Sequence, residues 1–538
     1  MTAPRFTTPI IAGLVALSAI AILIGGALAG LLIEGLRDGG NALEAFDAYL
    51  LRVALFTLVQ AALSTVLSIV PALFVARALS RHPQFPGRAL VLRLFALPLA
   101  LPAIVAALGL LALYGRAGYL AGTFSSLGGT TWPGIYGLSG ILVAHVFFNL
   151  PLATRFLLES LNTVSTDQWR LASQLSMGAT SAWRFIEWPV LRASLPGIAG
   201  LVFMLCVTSF TLVLTLGGGP AATTLEVAIY QALRFDFDPA RAVALTALQV
   251  AITAVVLLVL VRLGTNTAVD ANLSVVSHRP AQAGPAETAL NGLLLAVTFA
   301  FVAAPMLAIL ASGLSADLTR LVGDGAVQRA TATSLAFGLA SAILSVCLSL
   351  ALVAARRTVA RQRRAGGGSR LESMFDTGAG FVLVVPPIVI GAGWFIALRN
   401  TVDPFAAAPM MVVTVNAVMA MPFALRAIRP AFDAAAERHD RLCAALGING
   451  WNRLRLIDLP VLRRALVTAG AFAMALSLGD LGVVALFGSE SVQTLPYLLL
   501  QRMGSYRTQD AAGIALLLGL ACLALLTFAD RLARGTQR

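Results

Sequence analysis

Few side chains in this 538-residue chain could do chemistry, and their types narrow the choice. Asp480 stands in Leu478-Gly479-Asp480-Leu481-Gly482, within an apolar run. An ionisable group there is costly and faces a cavity or a partner. It could attract a passing cation or pair with a buried arginine. His145 lies in another apolar run, where an interhelical hydrogen bond suits it better than a substrate contact. Gly217-Gly218-Gly219-Pro220 could cradle a phosphate, but no strand precedes it and a turn explains it. Cys206, Cys347, Cys443 and Cys522 are far apart, with neither a disulfide framework nor a zinc spacing. All 38 basic residues are arginine. A P-loop requires Gly-x-x-x-x-Gly-Lys, so this chain cannot carry one, and a Schiff-base lysine is excluded too. With four histidines and no Ser/His/Asp cluster, the expectation is a non-enzyme without metal or cofactor of its own.

The elements that must position these groups are membrane helices. The chain is 58% hydrophobic and 12% charged, with a mean hydropathy of +0.86. Apolar runs of about 20 residues recur, each long enough to cross about 30 Å of hydrocarbon as a helix. They fall near 9–33, 53–76, 94–114, 137–157, 197–216 and 242–261, then 290–312, 333–355, 378–398, 406–428, 466–487 and 511–529. An all-α polytopic fold of about twelve spans, six per half, follows. Pro98, Pro102, Pro386 and Pro387 predict kinks in spans 3 and 9. The net charge of +13 does not indicate nucleic acid, because the arginines sit in short loops between spans. With the N-terminus inside, 28 arginines fall inside and 10 outside, which sets the orientation and puts both termini in the cytoplasm.

The strongest signal is a repeat. Arg170-Leu171-Ala172-Ser173-Gln174-Leu175-Ser176 runs on to Glu187-Trp188-Pro189, and Arg441-Leu442-Cys443-Ala444-Ala445-Leu446-Gly447 runs on to Asp458-Leu459-Pro460. The Arg-to-Pro spacing is 19 residues in both, and the copies lie 271 residues apart. Pro151 and Arg155 match Pro422 and Arg426 at the same offset. Each copy reads as a helix, a turn and a second short helix ending at the proline, a knob on the cytoplasmic side. Gly447 makes the second turn. At the same offset Ser209 is the counterpart of Asp480, so the halves differ chemically. The outer segments 217–241 and 488–510 also match: Thr224 with Thr494, Gln231 with Gln501.

These loops resemble the coupling loops of type I ABC importer permeases, whose pattern is Glu-Ala-Ala, three residues, Gly, and Leu-Pro placing the proline thirteen residues after that glycine. Gly447 to Pro460 is thirteen, as is Ser176 to Pro189. The departures are Arg170 and Arg441 for the usual Glu, Trp188 for Leu, and Ser176 for Gly; the first turn is then expected at Gly178. Further stretches are similar to permeases of bacterial thiamine importers: His145-Val146-Phe147-Phe148-Asn149-Leu150-Pro151, Ile229-Tyr230-Gln231-Ala232-Leu233, Asp238-Pro239-Ala240-Arg241-Ala242 and Gly504-Ser505-Tyr506-Arg507.

The resemblance implies a fused, pseudo-twofold permease in the bacterial inner membrane. Its parts are an N-terminal anchor and periplasmic loop (1–52), a first permease domain (53–262, coupling loop 160–195), a linker with helix 7 and a periplasmic loop (263–330), a second permease domain (331–529, coupling loop 431–466) and a tail (530–538). The implied function is passage of thiamine, and its phosphates, from a periplasmic thiamine-binding protein. Two copies of an ATP-binding-cassette subunit would hold ATP and Mg and dock on the loops through Arg170, Leu171, Ala172, Ser176, Gly178 and Pro189, and through Arg441, Leu442, Cys443, Gly447 and Pro460. Asp480 and Ser209 are candidates for the path. Thr224, Gln231, Thr494 and Gln501 are candidates for binding-protein contact. The alternatives are a fused permease for another solute such as ferric ion and, in a different class, an ion-coupled secondary transporter, which needs more buried carboxylates than Asp480 supplies. A membrane-embedded enzyme is the remaining rival, without a residue cluster to support it.

Overall fold

The computed structural model describes residues 7–37, 47–126, 132–262, 284–362, 371–375, 382, 385–399, 402–448, 450–489 and 492–534. Residues 263–283 of the expected linker, the start of the ninth span and the last residues of the tail lie outside them. The described elements are helical. In chain order the ones used below are α1 (Thr8–Arg37), α2 (Ala48–Arg81), α3 (Ala103–Tyr114), α4 (Leu138–Asn162), α5 (Thr166–Gln174), α6 (Trp188–Val207), α7 (Leu225–Arg234), α8 (Pro239–Arg262), α9 (Pro285–Leu314), α10 (Gly325–Gln362), α11 (Pro387–Leu398), α12 (Ala408–Ala445), α13 (Leu459–Gly479), α14 (Leu495–Gly504) and α15 (Thr508–Arg534). Among the described residues, eleven helical segments are long and apolar enough to cross a membrane, and α11 is a shorter apolar helix. The protein is a multi-pass membrane protein. At 1.5 Å per residue, the 34 residues of α2 and the 38 each of α10 and α12 outrun a bilayer's hydrocarbon. Their surplus turns carry arginines beyond it.

The expected kinks in spans 3 and 9 take another form. Pro102 and Pro386 stand in extended conformation (φ −55°, ψ 138° and φ −58°, ψ 148°) immediately before α3 and α11, with Pro387 in the first turn of α11. A proline lacks the N–H that a first turn leaves unused, so it starts these helices rather than bending them. Two other spans are interrupted without proline. The fifth ends at Val207 and resumes as Thr211–Leu216; the eleventh ends at Gly479 and resumes as Gly482–Phe487.

The chain forms two compact units. One comprises Asp47–Val227 and Ala251–Ser315. Here α2 lies along α4 and α6, and α9 packs on α3 and α2 around a core that includes Phe95, Phe147, Leu157 and Ile198. A Cβ on Gly109 would stand 2.6 Å from the Pro305 carbonyl, so only glycine lets α3 approach α9 this closely. The other unit comprises Met1–Phe46, Ala228–Val250 and Ala316–Arg538. In it α10, α12 and α13 pack on one another, and α1 lies against α10 and α11. Gly393 sits where a Cβ would meet the Ala27 carbonyl at 2.3 Å. Trp394 Nε1 donates to the Leu23 carbonyl (2.7 Å), and Arg399 pairs with Glu34. Sequence order places spans 1 and 7 in the first and second halves respectively. Packing exchanges them: each joins the unit built mainly from the other half.

Candidate functional site: two repeated loops and two broken helices

The first loop leaves α4 and begins α5 at Ser165, whose hydroxyl accepts from the Gln168 amide (3.3 Å). The turn after α5 is closed by Met177 N–H to the Ala172 carbonyl (3.0 Å) and Ser176 N–H to the Ser173 carbonyl (3.0 Å). The second loop continues directly from α12, and Ile448 N–H closes its turn on the Cys443 carbonyl (2.9 Å). Met177 and Ile448, Ala172 and Cys443 are equivalent at the 271-residue offset, so both loops use the same six-residue closure. This closure needs a left-handed residue. Gly447 has φ +65°, and Ser176 itself has φ +52°. The expectation that Gly178 makes the first turn is therefore wrong: Gly178 is extended (φ −67°, ψ 169°) and begins the short helix Ala179–Ala182. Ala172 and Cys443 are also corrected as partner contacts, because both are buried and serve the turn through their carbonyls.

Beyond the turns, each chain enters a wide π-type turn, Trp183–Glu187 and Leu454–Asp458, and continues without interruption into α6 and α13. Trp188 N–H reaches the Trp183 carbonyl and Leu459 N–H the Leu454 carbonyl. Pro189 and Pro460 follow at once. The expected helix end at these prolines is thus absent. Widening the turn ahead of a residue that clashes with the carbonyl four back lets the helix run on.

Three apolar side chains stand outward on each loop at equivalent positions: Leu171, Leu175 and Phe185, then Leu442, Leu446 and Leu456, all 53–66% exposed. Arg170 pairs with exposed Asp167 (3.5 Å), and Arg441 is exposed. The second arms are locked inward by carboxylates that the sequence reading passed over. Glu187 is buried and pairs with Arg77 (2.8 Å) and Arg81 (3.6 Å) at the end of α2. Arg77 also lies over the Trp183 ring (4.9 Å), and Arg81 pairs with Glu287 of α9. The counterpart of Glu187 is Asp458, which pairs with Arg453 (3.4 Å). Arg453 in turn meets Asp440 (2.6 Å), and Asp440 pairs with Arg361 and Arg357 of α10. The recurrence of a carboxylate just before Trp188-Pro189 and Leu459-Pro460 was the available signal.

Asp480 and Ser209 sit at the two helix breaks. Asp480 Oδ1 accepts from the Gly482 amide (3.2 Å), so its carboxylate caps the resumed helix. Among the described residues no arginine pairs with it, which corrects the buried-arginine alternative. Asn416 faces the same carboxylate and donates to Ser477 Oγ (3.0 Å). In the first half the equivalents of Asn416 and Ser477 are His145 and Cys206: His145 Nδ1 bonds Ser64 Oγ (2.9 Å), and Gln60 Nε2 donates to the Cys206 carbonyl (3.0 Å). Interhelical bonding is thus confirmed for His145. Asp480→Asn keeps the capping oxygen and is expected to accumulate like wild type. Asp480→Ala strands the amide at the break and should cost about 1 kcal/mol, read as a lower unfolding temperature in detergent.

A family model described as "Binding-protein-dependent transport system inner membrane component" matches residues 350–538. The thiamine transport system permease protein ThiP of Brucella abortus is 57% identical over 527 residues, 98% of this chain and 96% of that one. Its namesakes in Salmonella typhimurium and Escherichia coli are 41% and 42% identical over 96% and 90% of this chain, and over the same shares of theirs. The chain belongs to this permease family. A sulfate transport permease, CysW of Synechocystis, matches over only 28% of the chain at 34% identity.

At the ends of α2 and α10 away from their loop-binding arginines, α7 and α14 are tied down alike, each within its own unit: Leu225 N–H donates to Thr57 Oγ1 (3.0 Å) and Leu495 N–H to Ser334 Oγ (2.8 Å). Thr224 and Thr494 are buried by this, which removes them as surface contacts. Gln231 is half-buried, and Gln501 is exposed. Most exposed are Phe237 (79%) and Tyr506 (92%), each two residues before the next span and each at positive φ (+52°, +59°). A bulky residue held left-handed is uncommon, and here it occurs in both halves.

Proposed function

We propose that this permease imports thiamine across the bacterial inner membrane, with both termini in the cytoplasm. It receives thiamine, and its phosphates, from a periplasmic thiamine-binding protein and is driven by two copies of an ATPase subunit that hold ATP and Mg. The observation that carries this reading is the pair of repeated loops. A linker has no need of the same left-handed turn, the same wide turn and the same three outward apolar residues twice. Six exposed apolar side chains at matched positions suit a groove on each of two identical partners. The carboxylate locks connect the loops to α2 and α10, so displacement of a loop moves the helices, and alternating access follows as rocking of packed helices.

The substrate is carried over from the relatives' names, which share 96–98% coverage with this chain in the Brucella and Salmonella proteins. The path runs past the breaks at Ser209 and Asp480, because irregular backbone at membrane depth persists where it lines a cavity. On the periplasmic side the contacts for the binding protein are Phe237, Tyr506 and Gln501, replacing the buried threonines. Reconstitution tests the whole reading. The purified chain in lipid should hydrolyse no ATP. With the partner ATPase and thiamine-loaded binding protein, hydrolysis should rise and labelled thiamine should accumulate inside. Stimulation by a ferric-loaded binding protein instead would favour the fused ferric permease, and uptake driven by an ion gradient without ATP would overturn the class.

A further inference from the structure

Glu226 is the acidic residue in the first turn of α7. It is 1% exposed, its Oε1 has no hydrogen-bond partner, and no ion pair reaches it among the described residues. Burial alone pushes its carboxyl up to about 8. A buried carboxyl without partners is unfavourable, and in a membrane protein it marks a site when something with opposite charge is to occupy it.

Its surroundings supply the rest of a site. The amide of the preceding Leu225 is fixed on Thr57 of α2. Thr57, Gln60 and Ser64 share one face of α2 at spacings of three and four residues. Gln60 spends its Nε2 on the Cys206 carbonyl and leaves Oε1 buried without a partner. Ser64 holds His145 by Nδ1, and His145 Nε2 is buried without a partner. Thr224 Oγ1 is in the same state. Unanswered polar atoms therefore accompany α2 from Thr57 to Ser64, about 10 Å along its axis, with the one carboxyl at the end away from Arg77 and Arg81.

Bracing the fold does not explain this column. The second half fixes its own helix start by the same bond, Leu495 N–H to Ser334 Oγ. Yet Pro496 stands at the counterpart of Glu226, Phe337 at that of Gln60 and Asn416 at that of His145. The carboxyl, the Gln60 amide and the His145 ring belong to one half only, whereas the unanswered hydroxyl of Thr224 recurs at Thr494; the mechanical requirement is common to both halves.

We propose that Glu226, Gln60 and His145 form a binding site for an organic cation with hydrogen-bond donors, which, on the reading above, is thiamine entering from the periplasmic side. Glu226 supplies the negative charge opposite the thiazolium ring. Gln60 Oε1 and His145 Nε2 accept from the two N–H of the pyrimidine's amino group. The carboxyl releases its proton to the aqueous phase as the cation arrives and regains one from it as the cation leaves; the returning proton competes with the cation and keeps it from being held.

The test uses the permease–ATPase complex in lipid nanodiscs. Thermal unfolding is followed with millimolar thiamine and, separately, with the uncharged thiochrome. Thiamine should raise the midpoint of wild type and thiochrome should not. Glu226→Gln should abolish the thiamine shift and lower uptake at least tenfold at equal protein abundance, while Glu226→Asp should keep part of both. Without ligand the carboxyl is neutral, and the amide of similar shape is neutral too, so Glu226→Gln should fold about as well as wild type. A wild type that shows no thiamine shift, or a Glu226→Gln variant with full shift or full uptake, would overturn the site. A wild type that imports no thiamine in the reconstituted system would instead overturn the functional reading, and the two failures are read from different measurements.

Discussion

Glu187→Ala is expected to reduce assembled permease severely. The lost carboxylate is 1% exposed and faces two guanidiniums, with the side chains of Arg81 and Arg77 exposed by 4% and 23%. Removing one member of a buried pair typically costs about 3–5 kcal/mol, because the remaining charge is left in low dielectric. The lower end applies here, about 3 kcal/mol, since Arg77 can turn toward solvent and Arg81 keeps Glu287. Asp458→Ala should be milder, about 1 kcal/mol, because Arg453 retains Asp440. Unfolding temperature and yield after solubilisation check both. The informative variant is the double replacement Arg77→Met with Glu187→Leu. An apolar pair of similar volume often restores stability. If the lock also carries loop displacement into α2, the double variant should recover abundance without recovering uptake. Recovery of both would reduce the pair to a structural prop.

The membrane class, the duplicated loops and their spacing were legible in the residues because each depends on a periodic or repeated pattern. Apolar runs of a given length must be helices in lipid, and two loops at a 271-residue offset announce themselves. What escaped depends on partners distant in sequence. The exchange of α1 and α9 is invisible in a hydrophobic run, which does not say what it packs against; glycines such as those at 13, 26, 30, 109 and 393 hint at close approach. The Arg77–Glu187 pair spans 110 residues. Ser176 misled because local preference argues for the nearest glycine, Gly178, whereas the turn's geometry follows the repeat and imposes φ +52° on a serine. Thr224 and Thr494 misled for the converse reason: a matched pair in matched segments looked like a surface, and it is a shared buried helix start.

Gly447→Pro is expected to abolish uptake while leaving the protein in the membrane. Gly447 has φ +65°, and proline is confined near −65°, so the substitution demands the opposite hand at the one residue that closes the turn. Proline also removes an N–H. The closure of Ile448 on the Cys443 carbonyl is lost with the turn, and the exposed Leu442 and Leu446 no longer hold their relation to Leu456 beyond it. None of the apolar spans is touched, so insertion should persist. The first loop provides the control for hand alone. Ser176 already bears the cost of a left-handed side chain, about 1 kcal/mol. Ser176→Gly should therefore raise the unfolding temperature with uptake unchanged, and Gly447→Ser should lower it by a similar amount with uptake largely retained. Uptake, membrane content and ATPase stimulation measured together on these three variants separate the shape of the turn from its stability. Normal uptake in Gly447→Pro would remove the second loop from the coupling path. If Gly447→Ser behaved like Gly447→Pro, the turn would be failing through stability and not through hand, because serine can adopt the left-handed conformation that proline cannot.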